Sequence, residues 1–541
     1  MLVSKFDKRN RFNYNWSNFL TCKMGYAIPY DIIEVLPGDT WKYKAIPFLR
    51  MLAQIAPTMG ELVVRQHSIY VPTRIIWPHF YEGYMIPTEN SDGTLTTATI
   101  PTITNTWTKG SLGDYLHYPL GVPYTCNAFK IRAYQKAIRD WYMNLNIEDL
   151  SDVPLSDADG VDTTTSLSLY NVNWPKDRFT GCYKEKQRGP EVILPLGDEA
   201  PIYGGDNNDY SLPASYNIQP LRFVQRSGAY PTEGASGTGY ALNLSTPQHE
   251  ALGTGRATAG SVFLAAGTGN NPTSISSGND QMLYPANLYA DLRQAVGLHP
   301  DEFRLAFQVE KKLRMDMLGG QRTPEWLLTH YGVRCSDARL QRSEFLGGSK
   351  SYFNVSEVLQ TSATNSTSPQ GNMAGHGYCV YSTKAKTKTF EEHGYIINII
   401  SIAPRAIYTG GSPREDLKRT PEEFGLPVLS HTIMDAIYKG ELKWTNSSTD
   451  LEPFGYRNIY DEYRQRYSTL AGEFRDTLDY WTWARKFNNV PALNKQFIQV
   501  EQIDRPFATT GTDHFLVAVK NIARAYRPLP KRGDPGLIDH Q

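Results

Sequence analysis

Two stretches of the chain carry residues suited to holding a nucleic-acid strand. Near the start, Lys5, Lys8, Arg9 and Arg11 stand against a single acid, Asp7, with Phe6, Phe12, Tyr14 and Trp16 interleaved. Cations neutralise phosphates and flat rings stack on unpaired bases, a mixture that suits single-stranded nucleic acid. Near the end, Lys520, Arg524, Arg527, Lys531 and Arg532 follow one another with no acid between Asp513 and Asp534. Lys5, Lys8, Arg9, Arg11, Trp16, Lys520, Arg524, Arg527, Lys531 and Arg532 are therefore the candidate DNA-contact residues. The plainer alternative for both stretches is a solvated arm or a subunit contact, because charge runs commonly just face water.

Signatures of catalysis are weak by comparison. The segment Gly253–Ser261 is glycine-rich but lacks the Lys-Ser/Thr ending of a phosphate loop. His249-Glu250 opens like a zinc-protease helix, yet Gly253 stands where the second histidine is required. No nucleophile-elbow pattern occurs. His376 and Cys379 lie in a Gly-rich stretch that reads as a loop and as structural. His330 reads as a packed or surface residue of a helix. The five cysteines, Cys22, Cys126, Cys182, Cys335 and Cys379, are scattered and form no C-x-x-C pair, so reduced, buried thiols are expected. No catalytic, cofactor-binding or metal-binding residue is assigned.

The elements that must position these residues are mostly strands. EVLPGDTWKY places a turn at Pro37–Asp39. ELVVRQHSIYVP, EVILPLG, HGYIINIISIAP and HFLVAVKNIARAYRP are β-branched and aromatic runs bounded by Gly or Pro. Phe515, Val517 and Val519 alternate at period two, and the apolar run Ile396–Ala403 suits a strand buried on both faces. Four helices are expected. One is capped by Asn127 with Ile131, Tyr134, Ile138 and Trp141 on one stripe. A second carries Leu305, Val309, Leu313 and Met317 and stops at Gly319–Gly320. A third runs from Thr323-Pro324 to near Gly332, and a fourth from Leu478 to Phe487. They read as elements inserted between strands of a β core.

Composition sets the outer bounds. At 541 residues the chain holds several domains or one core with large insertions. Hydrophobic residues make up 40%, enough for a sizeable core, and 34 tyrosines suit surfaces that become buried against partners. The 55 basic residues balance 55 acidic ones, so any nucleic-acid contact must come from local patches. The first residues have no apolar signal-peptide core, and no run approaches the roughly 18 apolar residues of a membrane span. The expectation is a protein made and kept in a cytoplasm, with no membrane insertion. No lysine occurs between Lys186 and Lys311, and ten of the 51 residues from Gly228 to Gly278 are glycine, which reads as a long loop-forming insertion.

Particular segments then identify a family. They are EVLPGDTWKYKAIPFLRMLAQIAPTMGELVVRQHSIYVPTRIIW (34–77), NAFKIRAYQKAIRDWY (127–142), RFTGCYKEKQRGPEVILPLG (178–197), a long run over 292–348 containing DARLQRSEFLGG, PQGNMAGHG (369–377), EEHGYIINIISI (391–402), FGYRNIYDEYR (454–464) and PGLIDHQ (535–541). In these the chain resembles the major capsid proteins of microviruses, small icosahedral single-stranded DNA phages, and within them the gokushovirus-like branch. The resemblance implies a mainly β fold, an eight-stranded antiparallel jelly roll (a viral coat β-barrel) with long inserted loops and a few helices. The whole chain, 1–541, would then be one capsid domain with large insertions.

The resemblance also implies a function: self-assembly into a T=1 icosahedral shell around a circular single-stranded DNA genome. Residues 226–280 would be a variable insertion protruding from the particle and used in attachment to a host surface receptor. Residues 1–20 would form a basic and aromatic N-terminal arm and 520–541 a basic C-terminal segment. The divergent stretch 409–444 would change a subunit contact and leave the core fold in place. A neutral coat cannot balance a genome alone, so a small basic internal DNA-binding protein is expected, and the resemblance adds a minor pilot protein. The virion, assembled in the bacterial host cytoplasm, is the expected location. The competing classes are a β-rich glycoside hydrolase, which needs a carboxylate pair in a cleft, and a carbohydrate-binding module.

Overall fold

The computed structural model describes residues 9–190, 300–334, 341–361, 370–430 and 434–529, a few isolated positions, and short strands between 202 and 290. The chain divides into two compact units: one comprises 1–189 with 313–541, the other 190–312.

The larger unit is built on antiparallel strands. They are β1 (Asn10–Cys22), β2 (Ile28–Val35), β3 (Thr40–Met51), β4 (Leu62–Pro72), β5 (Glu344–Tyr352), β6 (Asn354–Leu359), β7 (Met373–Val380), β8 (Lys386–Thr389), β9 (Gly394–Pro404) and β10 (Phe515–Arg527). A six-stranded sheet runs β1-β10-β3-β7-β6, with β8 also paired to β3, and a four-stranded sheet runs β5-β4-β9-β2. The turn expected at Pro37–Asp39 joins β2 to β3. Asp39 N–H donates to Leu36 O at 3.0 Å, and Gly38 takes φ +83°, a conformation that favours glycine at the third turn position. Every residue of β9 is buried, as its unbroken apolar run predicts, because the chain packs on both of its faces.

Between the two sheets the core carries a polar seam. Tyr381 donates to Gln66 Oε1 (3.2 Å), and Gln66 donates to the Tyr30 hydroxyl. The Tyr30 and Tyr43 hydroxyls meet at 3.2 Å, and Tyr43 donates to Asn521 Oδ1 at 2.7 Å. These groups come from both sheets, so the hydrogen bonds fix how one sheet sits on the other as well as satisfying buried polar atoms. Asp31, next to a bulge in β2, accepts from Asn398 Nδ2 (3.4 Å). Burial pushes its carboxyl up to about 6 despite hydrogen bonds from Trp16, Asn18 and Asn398.

Helix α1 (Phe129–Trp141) packs on β4 and β9. It buries Ile131, Tyr134 and Ile138, the expected stripe, while Trp141 is half-buried. Its start differs from expectation. Asn127 is the last residue of a short strand, paired with Thr102, and caps nothing; Ala128 stands at the cap position. Helix α2 (Pro300–Leu318) ends before Gly319–Gly320, and α3 (Thr323–Tyr331) ends on Gly332 at φ +68°, both as expected. No helix covers Leu478 to Phe487. Only Asp479–Trp481 forms a single 3₁₀ turn, after which Thr482 bridges Met59 and Arg485 bridges Tyr408. Thr482, Trp483, Ala484 and Arg485 are all buried, so packing on every side, rather than one helical face, decides the conformation.

The smaller unit holds short antiparallel pairings: Leu221–Gln225 with Tyr240–Leu242 and with Leu283–Pro285, Ile202–Gly204 with Leu288–Ala290, and Phe263–Leu264 with Thr273–Ser274. Most of 226–280, the strand expected at EVILPLG and Cys335 lie outside the described residues.

Within the divergent stretch 409–444, Arg414 and Glu441 are buried in an ion network. Arg178 binds Glu441 at 2.8 Å, Lys418 binds Glu462 at 2.8 Å, Arg457 binds Asp461 at 3.1 Å, and Arg414 binds Asp435 at 3.0 Å. The same stretch exposes Phe424, Leu426 and Val428.

Candidate nucleic-acid interface

The sheet brings the two basic stretches together although some 500 residues of sequence lie between them. β1 and β10 pair along their whole length, with Arg11 opposite Tyr526, Asn13 opposite Arg524 and Ser17 opposite Lys520. β10 in turn pairs with β3, placing Arg524 opposite Lys42, Ile522 opposite Lys44 and Leu516 opposite Arg50. Strand side chains alternate between faces, so the outward face of these three strands is set by parity. It carries Arg11, Lys42, Lys44, Arg50, Lys520 and Arg524, and no acid stands at any outward position of β1, β3 or β10. None of the six cations has a carboxylate partner among the described residues.

The face is graded along the strands. Arg11, Lys42, Lys44, Lys520 and Arg524 occupy one end. Phe19, Phe48, Leu516, Tyr378 and Val380 occupy the other, with the Arg50 guanidinium 5.2 Å from the Phe48 ring centre. Phe19 is 78% exposed, a large cost for a phenyl ring unless something covers it.

Not every expected residue belongs to this face. Trp16 points inward, half-buried, with its ring 6.3 Å from Tyr43, while Tyr14 stacks on Trp41 at 5.3 Å. These rings fill the core and are not free to stack on bases. Arg527 is likewise spent inside. It reaches Asp39 at 3.1 Å, donates to Glu34 O at 2.9 Å, and lies 4.9 Å over Trp41. It therefore anchors the end of β10 to the Pro37–Asp39 turn. Arg9 and Lys531 are exposed, outside the strands; Lys5, Lys8 and Arg532 lie outside the described residues. The expected arm over 1–20 is, from Asn10 on, a strand of the sheet.

Lys42, Lys44 and Arg50 escaped the sequence reading. They are scattered singly along a strand, and only the period-two phase of T-W-K-Y-K, with Trp41 and Tyr43 inward, reveals them.

The other candidate chemistry disperses. His376 and Cys379 lie not in a loop but on strand β7, where a separation of three puts them on opposite faces. Cys379 is buried near Ser351 Oγ (3.5 Å), and burial pushes its thiol up, as it does for Cys22, Cys126 and Cys182. These four are free thiols. His330 is packed in α3, bound to Asp316 at 2.8 Å and 4.7 Å from the Trp326 ring. Among the described residues no cluster of three or more His, Cys, Asp or Glu could hold a metal ion, and no helix is long and apolar enough to cross a membrane. His249-Glu250 and Gly253–Ser261 lie outside the described residues.

Known proteins resemble the chain over nearly its whole length. It is similar to capsid protein VP1 of Bdellovibrio phage phiMH2K, at 29% identity over 94% of this chain and 91% of the relative. It is similar to capsid protein VP1 of Chlamydia phage 1, at 28% identity over 98% and 96%. It is also similar to capsid protein VP1 of Spiroplasma virus 4, at 29% over 95% and 92%. Residues 2–537 match the phage capsid protein (F protein) family, and the chain belongs to that family.

Proposed function

We propose that copies of this chain close into a T=1 icosahedral shell around a circular single-stranded DNA genome, as the major coat protein of a gokushovirus-like microvirus. The family makes it a structural protein of the virion and not an enzyme, which leaves the glycoside hydrolase and carbohydrate-module alternatives without support. The observation that carries the DNA part is the outward sheet face with six cations and no acid. Phosphates would lie along Arg11, Lys42, Lys44, Lys520 and Arg524, and bases would stack on Phe19 and Phe48. Arg9 and Lys531 extend the same charge at the strand ends.

The strand orders support the finer fold. In an eight-stranded jelly roll the first, eighth, third and sixth strands form one sheet and the second, seventh, fourth and fifth the other. Here β1-β10-β3-β7 and β2-β9-β4-β5 follow that order, with β6 and β8 as additions to the first sheet. Two such sheets form a wedge whose loops meet neighbours, and rings of head-to-tail contacts close a shell. The ridge Phe424, Leu426 and Val428 in the divergent stretch is the contact we assign to a neighbouring copy. The 226–280 segment is read as the insertion that meets the host receptor. A chain with 55 cations and 55 anions leaves most of the genome's charge unbalanced, which favours a separate small basic internal protein, beside a minor pilot protein.

Electron microscopy of the purified protein, alone and with single-stranded DNA, tests the proposal. Closed, nuclease-protecting shells are expected. Protein that stays dispersed under all assembly conditions and with every candidate partner refutes it.

A further inference from the structure

On the other sheet lies a second cationic site. A cleft of about 420 Å³ opens beside the start of β4 and the end of β5. Five cations line it, each from a different part of the chain: Arg65 on β4, Lys350 on β5, Arg405 just after β9, Lys176 and Arg466 in loops. Lys350 stands opposite Arg65 in the strand register. Two carboxylates also line the cleft, and both are engaged. Glu61 reaches Arg405 at 3.4 Å. Asp177 accepts the Tyr408 hydroxyl at 2.6 Å and the Phe179 and Thr180 amides at 2.9 and 2.8 Å. Arg65, Lys176, Lys350 and Arg466 have no carboxylate partner among the described residues.

Arg65 is the informative member. It is half-buried, and burial pushes its pKa down, opposed only by the Tyr142 and Tyr352 hydroxyls. A guanidinium drawn out of water beside other cations is unfavourable until an anion arrives, and its planar fork suits phosphate oxygens. Tyr352 and Tyr467 add rings to the same wall, and the volume falls in the range of small-ligand sites.

We propose that this cleft binds a nucleoside phosphate, with its phosphate oxygens on Arg65, Lys350 and Arg466 and its ring against Tyr352 or Tyr467. A free nucleotide and the 5′-phosphorylated end of a DNA strand share that chemistry. None of these residues belongs to the six-stranded sheet, so the site is separate from the strand-binding face.

Isothermal titration of the full-length protein with dTDP, with 5′-phosphorylated (dT)5 and with inorganic phosphate is the test. Binding of dTDP or of the phosphorylated oligonucleotide is expected, and which of the two binds more tightly identifies the source. Arg466→Gln and Lys350→Gln, both at exposed positions, are each expected to weaken dTDP about tenfold. Either Tyr352→Leu or Tyr467→Leu weakens dTDP and leaves inorganic phosphate unchanged, which tells the stacking ring apart from its neighbour. The sheet-face double variant Lys42→Gln/Arg524→Gln leaves dTDP binding intact. Absence of binding by both nucleotide probes, or binding unchanged in Arg466→Gln and Lys350→Gln, overturns the proposal. So does inorganic phosphate matching dTDP, or loss of dTDP binding in the sheet-face variant. If neither nucleotide probe binds while the sheet-face variant still weakens long DNA, the cleft assignment fails and the coat-protein reading stands.

Discussion

Replacing Lys42 and Arg524 together by glutamine removes two cations that lie directly opposite each other on adjacent strands. Both side chains are exposed and neither has a carboxylate partner among the described residues, so the change leaves the fold intact. Its effect on DNA is electrostatic. Each phosphate neutralised on a single strand contributes about −0.7 to the slope of log K against log salt. A face that uses all six cations therefore gives a slope of about −4, and the double variant one of about −3. At 0.15 M salt the same release of counterions makes the variant bind about tenfold more weakly. Fluorescence anisotropy of a labelled oligo-dT, titrated with unassembled full-length protein across a salt series, measures both quantities. Far-UV circular dichroism checks the fold, and Lys439→Gln, a change at a lysine already paired with Glu452, serves as the control. If the slope is unchanged, or the control loses as much affinity, this face does not hold the strand.

Three further outcomes follow from the interior of the larger unit. Asp162→Asn leaves Arg132 buried without its ion partner at 2.8 Å, and we expect a loss of about 3–5 kcal/mol in urea unfolding. Burial raises the Asp162 carboxyl, but hydrogen bonds from Thr165 and Arg132 outweigh it and hold the pKa below the usual value. Its contribution is thus present above the unfolded pKa and disappears as pH falls through the folded one; an acid-stability profile of Asp162→Asn that matches the parent chain contradicts this. Asp31 works in the opposite sense. Its folded pKa of about 6 lies above the unfolded one, so the stability it lends at low pH is lost as pH rises from about 4 to 6. Asp31→Asn should therefore stabilise by about 2 kcal/mol more at pH 8 than at pH 4, read from paired denaturation curves. Tyr43→Phe strips Asn521 Oδ1 of its donor and cuts the seam between the sheets, and should cost about 1–3 kcal/mol with the secondary structure unchanged by circular dichroism.

The local grammar of the chain specified much of this protein by itself. Alternation at Phe515, Val517 and Val519, the apolar run of β9, the Pro37–Gly38 turn and the Gly332 stop all depend on neighbours within a few residues, and all stand where the pattern puts them. Whole segments in family order likewise carried the identity. Where the pattern misled, distant residues decided. Asn127 is held by a strand partner at Thr102, and Trp483 is wrapped on all sides, so neither cap preference nor helical spacing prevails there. The proposed DNA-binding face is the clearest case. Basic and aromatic residues near the N-terminus read as one mixed cluster, but pleating sends Trp16 to the core and Arg11 to the surface. Long-range pairing then lays Lys520 and Arg524 beside Arg11, and adds Lys42, Lys44 and Arg50 from a strand whose charges look unremarkable in sequence. Composition told that cations were available. Only the register of three strands, set by hydrogen bonds between residues hundreds of positions apart, determined which of them share a surface and which, like Arg527, are consumed inside.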